Sequence, residues 1–269
     1  MTWLQATVLG AVQGLSEFLP ISSSGHLIVV PWLLGWPLQS LAFDVALHLG
    51  TLIAVVAAYG HDWARLIGGA VRGARRGTPF AEPEGRLLLL LVLASIPAAI
   101  AGLLLEKWAE DVFRSPALVA VDMAVMGAVL LAADRRAGSS GKDVVAVSTR
   151  DALLIGAAQA LALVPGVSRS GATISAALFL GYRREEAARF SFLLAVPITF
   201  GAVVFKVPHL FGAPEAKQAM AGLVTAAVFG LLSIRLLLAY VRTRDYRPFV
   251  YYRWAFALVV ITVLLLRRV

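Results

Sequence analysis

Two short runs of this chain gather side chains that can do chemistry. The first reads Gln13-Gly14-Leu15-Ser16-Glu17-Phe18-Leu19-Pro20-Ile21-Ser22-Ser23-Ser24-Gly25-His26. Gln13 and Glu17 are four apart and share a helix face, Pro20 stops that helix, and a second helix can begin after the serines. A carboxylate, three hydroxyls and an imidazole are thereby brought to one break, offering a base, a nucleophile and a second proton carrier. The second run reads Pro165-Gly166-Val167-Ser168-Arg169-Ser170-Gly171-Ala172-Thr173. Arg169 is a permanent cation with five donors, flanked by hydroxyls and by glycines that let backbone amides face a ligand ahead of a half-helix N-terminus. That set suits an anion, phosphate best of all. Nucleophile, base and anion cradle together suit phosphoryl transfer, in which positioning and charge neutralisation do most of the catalytic work. Read more plainly, the serines only cap half-helices and Arg169 only pairs with Glu17.

The surroundings of these runs are apolar. Of 269 residues 59% are hydrophobic and 15% charged, and mean hydropathy is +0.82, which excludes an ordinary soluble domain with its roughly 25% charge. Zero cysteines exclude disulfides, thiolate metal sites and cysteine nucleophiles. The start lacks a basic segment ahead of its apolar stretch, so no cleavable signal is expected there. Six stretches read as spanning helices: Leu41 to Gly60, Leu87 to Leu105, Pro116 to Ala133, Ser191 to Pro208, Ala221 to Val241 and Trp254 to Leu266. Leu4 to Leu34 and Ala152 to Tyr182 are each interrupted midway, a break tolerated in hydrocarbon only under protein cover or beside a wet cavity. Each reads as a re-entrant helical hairpin with a chemical run at its tip.

The two hairpin regions align at a constant offset of 146, which places Gly10, Ala11, Gln13, Leu15, Ser22, Ser24 and Gly25 on Gly156, Ala157, Gln159, Leu161, Ser168, Ser170 and Gly171. The formal charge of +8 reports topology. Four segments hold 16 of the 24 Lys and Arg residues: five in His61 to Arg86, four in Asp134 to Asp151, three in Arg183 to Arg189 and four in Arg242 to Arg253. The positive-inside rule makes these cytoplasmic and leaves Arg267-Arg268 as one violation outside. Three spanning helices between the hairpins invert the second copy. The expected fold is an all-α polytopic membrane protein, six spanning helices plus two re-entrant helical hairpins in an inverted-topology repeat. It forms one domain over 1–269, with repeats at about 1–133 and 152–269.

The two runs resemble the signature motifs of the bacterial undecaprenyl-diphosphate phosphatases, the bacitracin-resistance family, and the resemblance extends over essentially the whole chain. Ser24 stands where many members have Thr. The resemblance implies hydrolysis of undecaprenyl diphosphate to undecaprenyl phosphate for envelope synthesis, in the bacterial cytoplasmic membrane, with the site open to the periplasmic side. It also implies a divalent cation, Mg or Ca, bound by Glu17 and Gln13 together with the substrate diphosphate. Partners are then a polyprenyl diphosphate lipid and the bilayer, with no nucleic acid; a homodimer is the protein assembly left open.

On this reading Ser23 attacks phosphorus, Glu17 and His26 manage its proton, and Arg169 holds the phosphoryl oxygens. Ser22, Ser24, Gly25, Ser168, Ser170, Gly171 and Thr173 assist it, and Gln13 orients Glu17. Attack by His26 is the rival. Asp44 and His48, one turn apart on the next helix, read as support or as interfacial residues. Asp122 and Arg235 read as a buried pair with each other or with backbone. Trp32, Trp36, Trp108, Tyr240, Tyr251, Tyr252 and Trp254 read as an interfacial belt. An inverted-repeat transporter of an anion or lipid phosphate is the alternative, but would not need Glu17, Ser23 and His26 together. A Ser-Arg-x5-His-x3-Asp phosphatase motif fails, since Ser175 and Phe179 fall at its His and Asp positions.

Overall fold

In a computed structural model the described residues are 1–111, 114–137, 141–206 and 216–267, with only the backbone described over 106–111. The side chains of Lys107 and Trp108, the stretch 207–215 and Arg268 therefore lie outside the described residues. The described chain is built of helices: α1 (Trp3–Phe18), α2 (Ser23–Leu34), α3 (Leu41–Ala58), α4 (Gly60–Arg75), α5 (Pro83–Asp111), α6 (Pro116–Arg136), α7 (Thr149–Ala160), α8 (Arg169–Phe179), α9 (Arg184–Lys206), α10 (Ala216–Val241) and α11 (Arg247–Leu266). Six of them, α3, α5, α6, α9, α10 and α11, are long and apolar enough to cross a membrane, and each overlaps one of the six stretches expected, with α9 and α11 beginning seven residues earlier.

The other long apolar regions are helix–break–helix pairs. At about 1.5 Å per residue, α1, α2, α7 and α8 reach roughly 17 to 24 Å, short of a hydrocarbon core of about 30 Å. The halves of each pair pack on each other, α1 on α2 and α7 on α8. Leu19 turns the chain extended ahead of Pro20, and Ser22 then takes φ 72°; Ser168 takes φ 77°. These two serines, 146 apart, are the non-glycine residues with positive φ among the described residues. Such a conformation costs of order 1–3 kcal/mol, and here it is stabilised in the same way twice. Ser22 Oγ accepts from the Gly25 amide at 3.3 Å, and Ser168 Oγ accepts from the Gly171 amide at 3.0 Å.

The offset also relates tertiary contacts. Gly10 lets α1 close on α10, where an added Cβ would lie 2.4 Å from the Gly222 carbonyl oxygen. Its counterpart Gly156 lets α7 close on α5, where a Cβ would lie 2.2 Å from the Ala94 carbonyl oxygen. Helix backbone cannot yield as a side-chain tip can. Gly156→Val is expected to lower stability by about 1–3 kcal/mol, seen as a lower melting temperature in detergent; an unchanged melt would refute the close contact.

Three expectations are corrected. The charged segment after α3 is not a plain loop: it holds α4, whose Asp62 carboxylate accepts from Arg65 at 2.7 Å and from Arg189 of α9 at 2.6 Å. Its apolar residues keep the helical period along one face, but a stretch this rich in arginine and glycine does not read as a span and so passed unassigned. Asp122 and Arg235 do not pair: Arg235 is exposed on α10, and Asp122 interacts with Arg253 instead. Arg253, counted among the cytoplasmic charges, is fully buried. The apparent violation at the C-terminus has a local reason. Arg267 stacks over the Trp32 ring at 4.4 Å and donates to the Trp32 and Leu33 carbonyls, so its cation caps the end of α2.

Candidate active site

Glu17 sits in the last turn of α1, where the helix dipole disfavours a carboxylate, so its partners matter. Gln13, one turn earlier, donates Nε2 to Glu17 Oε2 at 3.0 Å. Ser23, the first residue of α2, donates Oγ to the same oxygen at 2.5 Å. Arg169, the first residue of α8, donates Nη2 to Glu17 Oε1 at 3.0 Å and Nη1 to the Ser191 carbonyl at 3.3 Å. One carboxylate therefore bridges a hydroxyl and a guanidinium brought from opposite hairpins. Ser23 and Arg169 are 146 residues apart, the offset that aligns the two hairpin regions, and each opens a helix.

Accessibility divides the group. Ser23, Ser24 and Arg169 are half-buried, whereas Gln13 and Glu17 lie beneath them, Gln13 fully enclosed. The N-termini of α2 and α8 both open here, and the amides of Ser23, Ser24, Arg169 and Ser170 find no acceptor among the described residues. Two helix ends, each carrying about half a positive charge, and a guanidinium thus favour a negatively charged group at this mouth.

The remaining hydroxyls are used internally. Ser22 Oγ also accepts from the Gly166 amide of the other tip at 3.1 Å, and Ser170 donates to the Leu19 carbonyl at 2.9 Å. Ser168 Oγ lies 3.2 Å from Ser170 Oγ, and Thr173 donates to the Arg169 carbonyl at 2.8 Å and meets Ser191 Oγ at 2.7 Å. Ser22, Ser168, Ser170 and Thr173, read as phosphate ligands, are buried and bind the tips to each other and to α9. Gly25 and Gly171 are the residues whose amides the two serine caps take.

His26 does not join the Glu17 chain of hydrogen bonds. Its Nδ1 donates to the Ser22 carbonyl at 2.7 Å, an atom that can only accept, so Nε2 of the neutral ring accepts from the Tyr252 hydroxyl at 2.6 Å. The ring stacks on Tyr252 and lies against Phe256. Among the described residues no hydrogen bond links it to Ser23 or Glu17, because both its nitrogens are engaged elsewhere. Asp44 pairs with Arg114 at 3.3 Å, and its carbonyl accepts from His48 Nδ1 at 2.8 Å. His48 lies within electrostatic reach of Glu17.

Two residues escaped the sequence reading. Tyr252, assigned to a belt, orients His26. Arg253 donates to the carbonyls of Pro20 and of Gly166 and Val167, at both breaks. Neither carries a motif, since Arg253's partners are backbone atoms.

A family model described as bacitracin resistance protein BacA matches residues 6–259. The chain belongs to that family. Curated relatives named undecaprenyl-diphosphatase match nearly all of its length. That of Elusimicrobium minutum is 48% identical over 267 residues, 99% of this chain and 100% of the relative. That of Moorella thermoacetica is 49% identical over 268 residues, 100% of each chain to the nearest per cent. That of Geobacter sulfurreducens is 50% identical over 258 residues, 94% of this chain and 95% of the relative. With six apolar spans, this BacA-family chain is a multi-pass membrane protein.

A resident cation cage does not fit these residues. Mg and Ca take six or more oxygen ligands, yet no group of three His, Asp or Glu side chains clusters among the described residues. Both Glu17 oxygens are engaged, and beside them Gln13 Oε1 is the buried oxygen left without a partner.

Proposed function

We propose that this chain hydrolyses undecaprenyl diphosphate to undecaprenyl phosphate and inorganic phosphate, recycling a lipid carrier for envelope synthesis and thereby conferring bacitracin resistance. The observation that carries the reading is the Glu17 carboxylate set between the Ser23 hydroxyl and the Arg169 guanidinium. The relatives' names supply the substrate.

Ser23 Oγ passes its proton to Glu17 Oε2 and bonds to the terminal phosphorus, the bridging P–O bond breaks, and Glu17 gives that proton to the departing undecaprenyl phosphate, which regenerates the carboxylate. Water, deprotonated by the Glu17 carboxylate, then attacks the phosphoserine and releases inorganic phosphate, and Glu17 returns the proton to Ser23 Oγ as the O–P bond breaks. Arg169, with the free amides of α2 and α8, holds the phosphoryl oxygens as charge gathers on them. Ser24 stands at the same mouth, Gln13 fixes Glu17, and His26 braces the first tip. We assign the divalent cation to the substrate's own diphosphate oxygens, and the repeats, about 1–133 and 152–269, to an inverted pair of re-entrant hairpins. The site then opens to the periplasmic face of the cytoplasmic membrane.

Phosphate release from defined prenyl diphosphates by detergent-purified protein tests the reading. Intact lipid binding without release would favour transport and overturn it. Titration of the lipid-free protein with Mg alone is expected to show no tight binding, and chelation is expected to act on turnover without lowering the melting temperature. A melt that falls with chelation would contradict the assignment of the ion to substrate.

A further inference from the structure

Arg253 lies in the second turn of α11, and its side chain is among the largest that are fully buried. Its Nε donates to the Met123 carbonyl at 3.1 Å and Nη1 to the Pro20 carbonyl at 3.0 Å. Nη2 is shared by the carbonyls of Gly166 at 2.6 Å, Val167 at 3.2 Å and Asp122 at 3.4 Å. One guanidinium thus holds the backbone of both breaks and of α6. Pro20 lies three residues before Ser23, and Val167 two before Arg169, so the atoms it fixes precede the two residues that meet on Glu17. Ser22 to Gly166 and Ser170 to Leu19 also join the tips, but Arg253 does so from a third element.

The buried cation has no ion-pair partner within salt-bridge distance among the described residues; the Asp122 carboxylate acts on it only through space. Retaining an uncompensated buried charge is costly, and the same carbonyls, left without donors, would also be costly. Shape explains the choice. A planar fork with five donors fixes several acceptors in one geometry, which an ammonium on a flexible stem does not.

We propose that Arg253 is a positioning residue that sets the register of the two tips, and so the placement of Ser23 against Arg169. This rests on the proposed phosphatase reaction, and the experiment separates the two. The absence of phosphate release by the unmodified protein would defeat the reaction, whereas normal turnover by a folded Arg253 variant would defeat only the positioning role.

Arg253→Lys keeps the charge but loses the fork. It is expected to lower kcat about 10²-fold with KM within a few-fold, because displacement of about 1 Å costs rate while Arg169 and the helix ends still bind substrate. The chain has no cysteine, so spin labels at Leu15→Cys and Leu161→Cys, exposed and related by the repeat offset, report the tips without background. Their distance distribution is expected to shift or broaden in Arg253→Lys. An unchanged distribution, or unchanged kcat, overturns the proposal. Arg253→Gly with and without ethylguanidinium gives a second route: rescue of kcat supports it, and rescue of the melting temperature alone overturns it.

Discussion

Ser23→Ala is expected to lower kcat for phosphate release by about 10⁴-fold or more while leaving lipid binding within a few-fold, as loss of a nucleophile does. The hydroxyl is placed for this by its 2.5 Å bond to Glu17 Oε2 and by its half-buried position at the mouth. His26→Gln is expected to cost far less, about 10- to 100-fold, since the imidazole is held by the Ser22 carbonyl and the Tyr252 hydroxyl and serves to hold the tip. Rapid quenching distinguishes the two nucleophiles independently of rates. A phosphoserine survives acid, whereas a phosphohistidine is lost in acid and survives base. An acid-labile, base-stable adduct, or full turnover by Ser23→Ala, would end the serine mechanism.

Arg169→Ala should lower kcat by about 10³-fold, the scale on which a single cation stabilising a phosphoryl transition state acts. It should also destabilise the fold, because Glu17 would remain buried as an unpaired carboxylate, a loss of about 3–5 kcal/mol. The double variant Glu17→Gln/Arg169→Ala separates the effects. It is expected to recover much of the melting temperature and none of the activity, since neutralising Glu17 removes the stranded charge together with the base. Arg169→Lys should fall between, with charge retained but the simultaneous reach to Glu17 and the Ser191 carbonyl lost. Additive stability effects in the cycle would show that the pair does not interact.

The spans and the Glu17, Ser23 and Arg169 group were legible in the sequence because charge is rare in apolar stretches and stands out where Pro and Gly interrupt a helix. The role of each hydroxyl was less legible. Ser22, Ser168, Ser170 and Thr173 have the same chemistry as Ser23, and only backbone placement decides whether a serine faces a ligand or takes an amide within the fold. Arg253 was illegible for a related reason: it stands in a basic, aromatic stretch that resembles a membrane-interface flank, and its acceptors are carbonyls, which every residue has. α4 was missed because its arginines and glycines keep it from reading as a span, although its apolar residues hold the helical period and Asp62 and Leu66 anchor it through one face.

Ser23 and Arg169 occupy equivalent places in the two hairpins. Two identical halves facing each other would present either a pair of hydroxyls with no cation or a pair of guanidiniums with nothing to attack. On the proposed mechanism, reactivity depends on the difference between Ser23 and Arg169 at one matched position, with a single carboxylate, Glu17, whose counterpart at the 146-residue offset is Leu163. Each half supplies what the other lacks. Under that mechanism such a division of labour ties the two halves to one polypeptide, and replacing either with a second copy of the other is expected to abolish the reaction.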